Sequence, residues 1–105
     1  MSLIKATDDD FSTLLNNNEK VVVKYYADWC GSCRLIAPKY NKLAESGNYN
    51  GVAFLDVNAE QSPEARKAAK VDNLPFFAVF KNGQLVEGSS AGKIEFVEKL
   101  IEKIN

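Results

Sequence analysis

The stretch that most constrains the fold is Val21 to Ala27, "VVVKYYA". Apart from Lys24 it is β-branched, aromatic or small and apolar throughout, with no polar residue at alternate positions. A strand built this way is buried on both faces, which requires a sheet with helices packed above and below it. Val52 to Val57 and Phe76 to Phe80 ("FFAVF") are two more runs of the same kind. Three such strands separated by helical patterns predict an α/β fold.

The connecting segments supply those helices. Thr7 followed by Asp10 makes a variant capping box, and Phe11, Leu14 and Leu15 form an apolar stripe that ends in Asn16-Asn17-Asn18. After Cys33, the residues Ile36, Ala37, Tyr40, Leu43 and Ala44 recur at helical spacing, with Pro38 expected to kink that helix. Gly47 to Gly51 breaks the pattern. Ser62-Pro63 reads as an N-cap followed by proline at the first helical position, opening a helix through Lys70. Ile94, Val97, Leu100, Ile101 and Ile104 share one face of a final helix. Leu3 to Lys5 fits a short edge strand, and Asn82-Gly83 predicts a hairpin returning into Gln84 to Val86. Long crossovers demand parallel pairing and the tight turn an antiparallel pair, so the sheet is expected to be mixed.

A chain of 105 residues with 46% hydrophobic content suits one domain, residues 1–105, around a single core. The net charge of −1, with both signs interspersed, offers no basic face for nucleic acid or an anionic membrane. Met1 to Asp10 turns acidic without an apolar run of signal-peptide length, and no stretch approaches the ~18 apolar residues of a membrane span. The expectation is a soluble cytoplasmic monomer. Asp8-Asp9-Asp10 reads as favouring a helix start rather than binding a metal.

Cys30 and Cys33 are the only cysteines, and the chain has no histidine. Two cysteines placed at random in a chain of this length would fall three apart about 2% of the time, which makes accident a poor account. A structural zinc site wants four Cys or His ligands, and only two thiols are on offer. A stabilising disulfide should close a long loop, whereas this one would close over two residues. A bridge that opens and closes by thiolate exchange fits the spacing best. Placed after the carboxyl end of a buried strand and at the start of a helix, Cys30 meets unpaired N–H groups and the helix dipole. Both favour the thiolate, the attacking form of the sulfur. Cys33 lies one turn further on and deeper.

The string Trp29-Cys30-Gly31-Ser32-Cys33 closely resembles the thioredoxin active-site signature, whose commonest form has proline where Ser32 stands. "VVVKYYADWC" is similar to that family's central strand, Pro38 sits at its helix-kink position, and "NLPFFAVFKNG" resembles the loop that carries its cis-proline. The resemblance covers essentially the whole chain and implies a thiol–disulfide oxidoreductase of the thioredoxin fold, a three-layer sandwich. It implies Cys30 as nucleophile and Cys33 as resolving thiol. Trp29, Gly31 and Ser32 would belong to the contact surface. Pro75, cis, would present the backbone of Leu74 to an extended substrate, and Ala91-Gly92 would supply the remaining loop. Disulfide-containing client proteins and an NADPH-dependent thioredoxin reductase would be the partners, with no cofactor or metal bound.

Two departures from the family stand out. Ser32 relaxes a backbone that proline would restrict and adds a hydroxyl near the thiols, an exchange expected to make the couple less reducing. Where thioredoxins usually carry a buried aspartate, six residues before the nucleophile, this chain has Lys24; Asp56, on the neighbouring strand, stands where many bacterial members have lysine. Lys24 is expected either to send its head to solvent along the apolar stem or to pair with Asp56 beneath Cys33. In the paired arrangement Asp56 would accept a proton and Lys24 would favour the thiolate. Two alternatives to a general reductase stay open on the sequence. One is a specialised or more oxidising exchange protein, and the other a non-enzymatic module bridging a metal or cluster.

Overall fold

Strand β2 (Lys20–Tyr26), the apolar run with Lys24 inside it, lies at the centre of a five-stranded sheet in the computed structural model, which describes residues 3–105. Met1 and Ser2, the start of the acidic amino-terminal stretch, lie outside the described residues. Chain order is β1 (Ile4–Ala6), α1 (Phe11–Asn17), β2, α2 (Gly31–Glu45), β3 (Val52–Asn58), α3 (Pro63–Ala68), β4 (Phe76–Lys81), β5 (Gln84–Ser90) and α4 (Ile94–Glu102). The strands are arranged β1-β3-β2-β4-β5. β1 and β2 run parallel to β3, while β4 is antiparallel to both β2 and β5, so the sheet is mixed as expected.

Strand alternation divides the core between two layers. Val21, Val23, Tyr25, Leu55, Val57, Ala78 and Phe80 face α1 and α3, meeting Phe11, Leu15 and Ala65. Val22, Phe54, Phe77 and Val79 face α2 and α4, meeting Ile36, Tyr40, Leu43, Val97 and Ile101. Each layer is pinned by a buried tyrosine hydroxyl. Tyr25 donates to the Ala65 carbonyl at 2.8 Å, and Tyr40 donates to the Leu55 carbonyl at 2.8 Å. With their phenols removed from water, both tyrosines are pushed up from their ordinary pKa.

Several local expectations are corrected. Ser62 is the N-cap of α3 with Pro63 at its first turn, as expected, but the buried Ser62 side chain makes no capping bond; the α3 amino terminus is capped from a distance instead. The Asp8 carboxylate accepts the N–H groups of Glu64 at 3.2 Å and Ala65 at 2.9 Å, so one residue of the acidic triplet serves a helix start other than its own. The box before α1 is half formed, with the Asp10 carboxylate accepting the Thr7 N–H at 2.8 Å. α3 ends at Ala68 rather than Lys70, which takes a positive φ of 55°. β5 runs to Ser90, four residues past Val86. Pro38 falls inside helix α2, Gly31 to Glu45, as expected. Asn82 (φ 52°) and Gly83 (φ 81°) both take left-handed conformations, as the two-residue hairpin turn requires.

Candidate active site

Where β2 ends, Ala27 to Trp29 turn the chain and α2 begins at Gly31, directly after Cys30. Cys30 is the N-cap of α2, and its Sγ accepts the backbone N–H of Cys33 at 3.2 Å. This is the capping role that serine or aspartate oxygens usually fill, here performed by sulfur. Cys30 and Cys33 are joined as a disulfide with Cα atoms 5.3 Å apart. They are 5% and 3% exposed, so Cys33 is the deeper of the two and Cys30 keeps only a narrow opening to solvent. Ala27 is buried with them, and Tyr26 and Leu74 pack on the pair.

Around that opening the candidate contact residues converge. Trp29 is 66% exposed, which excludes a core role, and its indole N–H donates to the Glu60 carboxylate at 2.8 Å. Gly31 and Ser32 are exposed in the first turn of α2. The Leu74–Pro75 peptide bond is cis, Pro75 is buried, and Leu74 is partly exposed beside the cysteines. Ala91 donates its N–H to the Pro75 carbonyl at 3.2 Å, which ties the loop carrying exposed Gly92 to the Pro75 segment. The Phe76 ring packs over Gly88, the register partner of Ala78, where a Cβ would stand 2.8 Å from the phenyl ring.

Below the disulfide, Lys24 and Asp56 do pair. Their Cα atoms are in register across β2 and β3, and Lys24 Nζ lies 3.2 Å from Asp56 Oδ1. The side chains are 4% and 9% exposed. The contact is within salt-bridge distance, yet Oδ1 receives no well-formed hydrogen bond, so attraction between charges dominates it. The Lys24 ammonium also sits over the rings of Tyr26 (5.4 Å) and Tyr40 (5.5 Å). Burial pushes the Asp56 carboxyl above the ordinary carboxylate range, with Lys24 and then Lys5 partly offsetting it. The pair is not sealed. A cavity of about 380 Å³ is lined by Lys5, Lys24, Tyr26, Cys33, Arg34 and Asp56, among others, and gives water a route to the inner sulfur. The Arg34 guanidinium donates to the Asp28 carbonyl at its edge.

Sequence reasoning missed Glu60 and Lys5. Glu60 lies in a polar loop with no periodic signal, and Lys5 follows an apolar pair on a three-residue strand; neither carries a motif. Among the described residues no group of three or more His, Cys, Asp or Glu is placed to hold a metal ion.

The family model described as thioredoxin matches residues 2–105. Thioredoxin 1 of Plasmodium falciparum is 30% identical over 103 residues, covering 98% of this chain and 97% of that one. Thioredoxin of Coprinus comatus is 30% identical over 95 residues, 90% of each chain. Reduced Schistosoma mansoni thioredoxin superposes with a TM-score of 0.89 at 32% identity over the full length of both chains. The oxidised mitochondrial thioredoxin 3 of Saccharomyces cerevisiae gives 0.86 at 31% identity, covering 96% of this chain and 94% of that one. A mixed sheet between two helical layers and a Cys-Gly-Ser-Cys disulfide capping a helix after the central strand accord with these matches, and the chain belongs to the thioredoxin family of protein-disulfide oxidoreductases.

Proposed function

We propose that the Cys30–Cys33 couple reduces client disulfides with Cys30 as nucleophile. The carrying observation is the position of the Cys30 sulfur as N-cap of α2. The Cys33 N–H and the helix dipole there stabilise negative charge on sulfur and raise the thiolate fraction at neutral pH. The Cys30 thiolate attacks one sulfur of the client disulfide; a mixed disulfide forms and the first client thiolate leaves. Cys33, as thiolate, then attacks the Cys30 sulfur and expels the second. Two electrons pass to the client, the client thiolates take up two protons, and the Cys30–Cys33 bridge closes.

Cys33 must lose its proton for the second step. Asp56 is the acceptor in this reading: it lines the same cavity, and its burial raises its proton affinity toward the working range. Lys24 supplies the positive charge that favours the Cys33 thiolate. Around the opening, Trp29, Gly31, Ser32, Leu74, Pro75 and Gly92 contact the client, with the Leu74 backbone available to an extended peptide. An NADPH-dependent thioredoxin reductase returns the disulfide to the dithiol, and the protein acts as a monomer in the cytoplasm. No helix among the described residues is long and apolar enough to cross a membrane.

A Cys33→Ser variant tests the order of attack. It should accumulate mixed disulfides with client proteins through Cys30, whereas Cys30→Ser should accumulate none. Equal trapping by both variants would overturn the assignment.

A further inference from the structure

Asp56 has a cation on each side. In the β1–β3 pairing its register partner is Lys5, and in the β2–β3 pairing it is Lys24. Register partners on parallel strands project to the same face, so Lys5, Asp56 and Lys24 form one row across three neighbouring strands. The row lies on the α2 side of the sheet, and all three side chains line the cavity that reaches Cys33. Lys24 is the contact partner at 3.2 Å, while Lys5 is solvent-exposed at the sheet edge.

We infer that Lys5 is a positioning residue that acts through Asp56, bracketing the carboxylate together with Lys24 and holding it ionised beneath Cys33. This rests on the reading of Asp56 as proton acceptor, since only an ionised carboxylate can take the Cys33 proton. The charges around Asp56 explain why a second cation matters. Lys24 and Tyr26 face it from β2, Asp28 from the turn before α2, Arg34 and Tyr40 from α2, and Lys5 from β1. Arg34 is engaged with the Asp28 carbonyl, and Asp28 lines the same cavity, where its charge acts on Tyr26. Without Lys5, two cations face two carboxylates in a site whose burial favours a neutral acid. Lys5 tips that balance. Because Lys24 leaves Oδ1 without a well-formed hydrogen bond, the pair relies on charge, to which a second cation adds directly.

The test is a carbon-13 NMR titration of the Asp56 carboxyl in the oxidised protein, where neither cysteine titrates. Replacing Lys5 by Met should raise the midpoint by about half a unit, and Lys5→Arg should return it to the wild-type value. The gap between wild type and Lys5→Met should narrow as salt is added, since Lys5 is exposed. A midpoint unmoved in Lys5→Met, or not restored in Lys5→Arg, overturns the inference. The proton-acceptor role is judged separately in the reduced protein, from the pH profile of mixed-disulfide resolution in wild type and Asp56→Asn. Identical profiles there would remove Asp56 from the mechanism while leaving the oxidised-state titration to decide on Lys5.

Discussion

The two faces of the sheet use the same strands differently. Toward α1 and α3, the inward residues of β2 and β3 are apolar from end to end: Val21, Val23 and Tyr25 beside Ala53, Leu55 and Val57. Toward α2 and α4 the same strands are apolar at their middle, with Val22 beside Val52 and Phe54, and then change at their carboxyl ends to Lys24 and Asp56. One face is sealed and the other is opened by a cavity at the level of Cys33. Burying two charges costs free energy that an apolar pair of similar size would not, so the second face gives up stability where the disulfide sits. The α1–α3 face holds the sheet, and the carboxyl end of the other face carries the buried ion pair beside Cys33.

The largest effect should come from the sealed face. Leu55 is fully buried there, and Leu55→Ala should cost about 3 kcal/mol in denaturant unfolding while leaving the equilibrium with glutathione unchanged. A shift in that equilibrium comparable to the one produced by a change at Lys24 would break the division between the faces.

A smaller effect, but one with a distinctive pH dependence, belongs to the open face. Asp56→Asn leaves the Lys24 ammonium without its carboxylate, a cost of about 1–3 kcal/mol. Burial raises the folded-state pKa of Asp56 above its unfolded value, despite the offset from Lys24 and Lys5. The native protein therefore holds a proton there at pH values where the unfolded chain has released it. That contribution to stability is full below the unfolded pKa and is lost as pH rises through the folded one. Stability measured as wild type minus Asp56→Asn should accordingly grow as pH falls from neutral toward about 4, then level off. A difference that does not change with pH would mean that Asp56 titrates alike folded and unfolded.

Much of this division is legible in the amino-acid order. The runs Val21–Ala27, Val52–Val57 and Phe76–Phe80 declare doubly covered strands because they lack polar alternation, and Lys24 marks the place where that cover fails. The paired cysteines and the strand-to-helix turn locate the redox centre. What stays hidden depends on contacts between distant residues. Asp8 caps a helix 56 positions away, and Trp29 is fixed by Glu60, 31 positions on. The end of β5 escapes because "GSS" has poor strand propensity and is held in place by pairing with β4. Lys5 is silent because its role comes from register, and register follows from the assembled sheet.

In the proposed mechanism the helix N-cap position makes Cys30 the reactive thiolate, with Cys33 held in reserve. The most direct measurement is the alkylation rate of each cysteine in the reduced protein as a function of pH. The expected result is rapid modification confined to Cys30, with a midpoint below the value of about 8.5 for a free thiol and Cys33 reacting far more slowly. Two cysteines reacting alike, both with midpoints near that of free cysteine, would contradict the account.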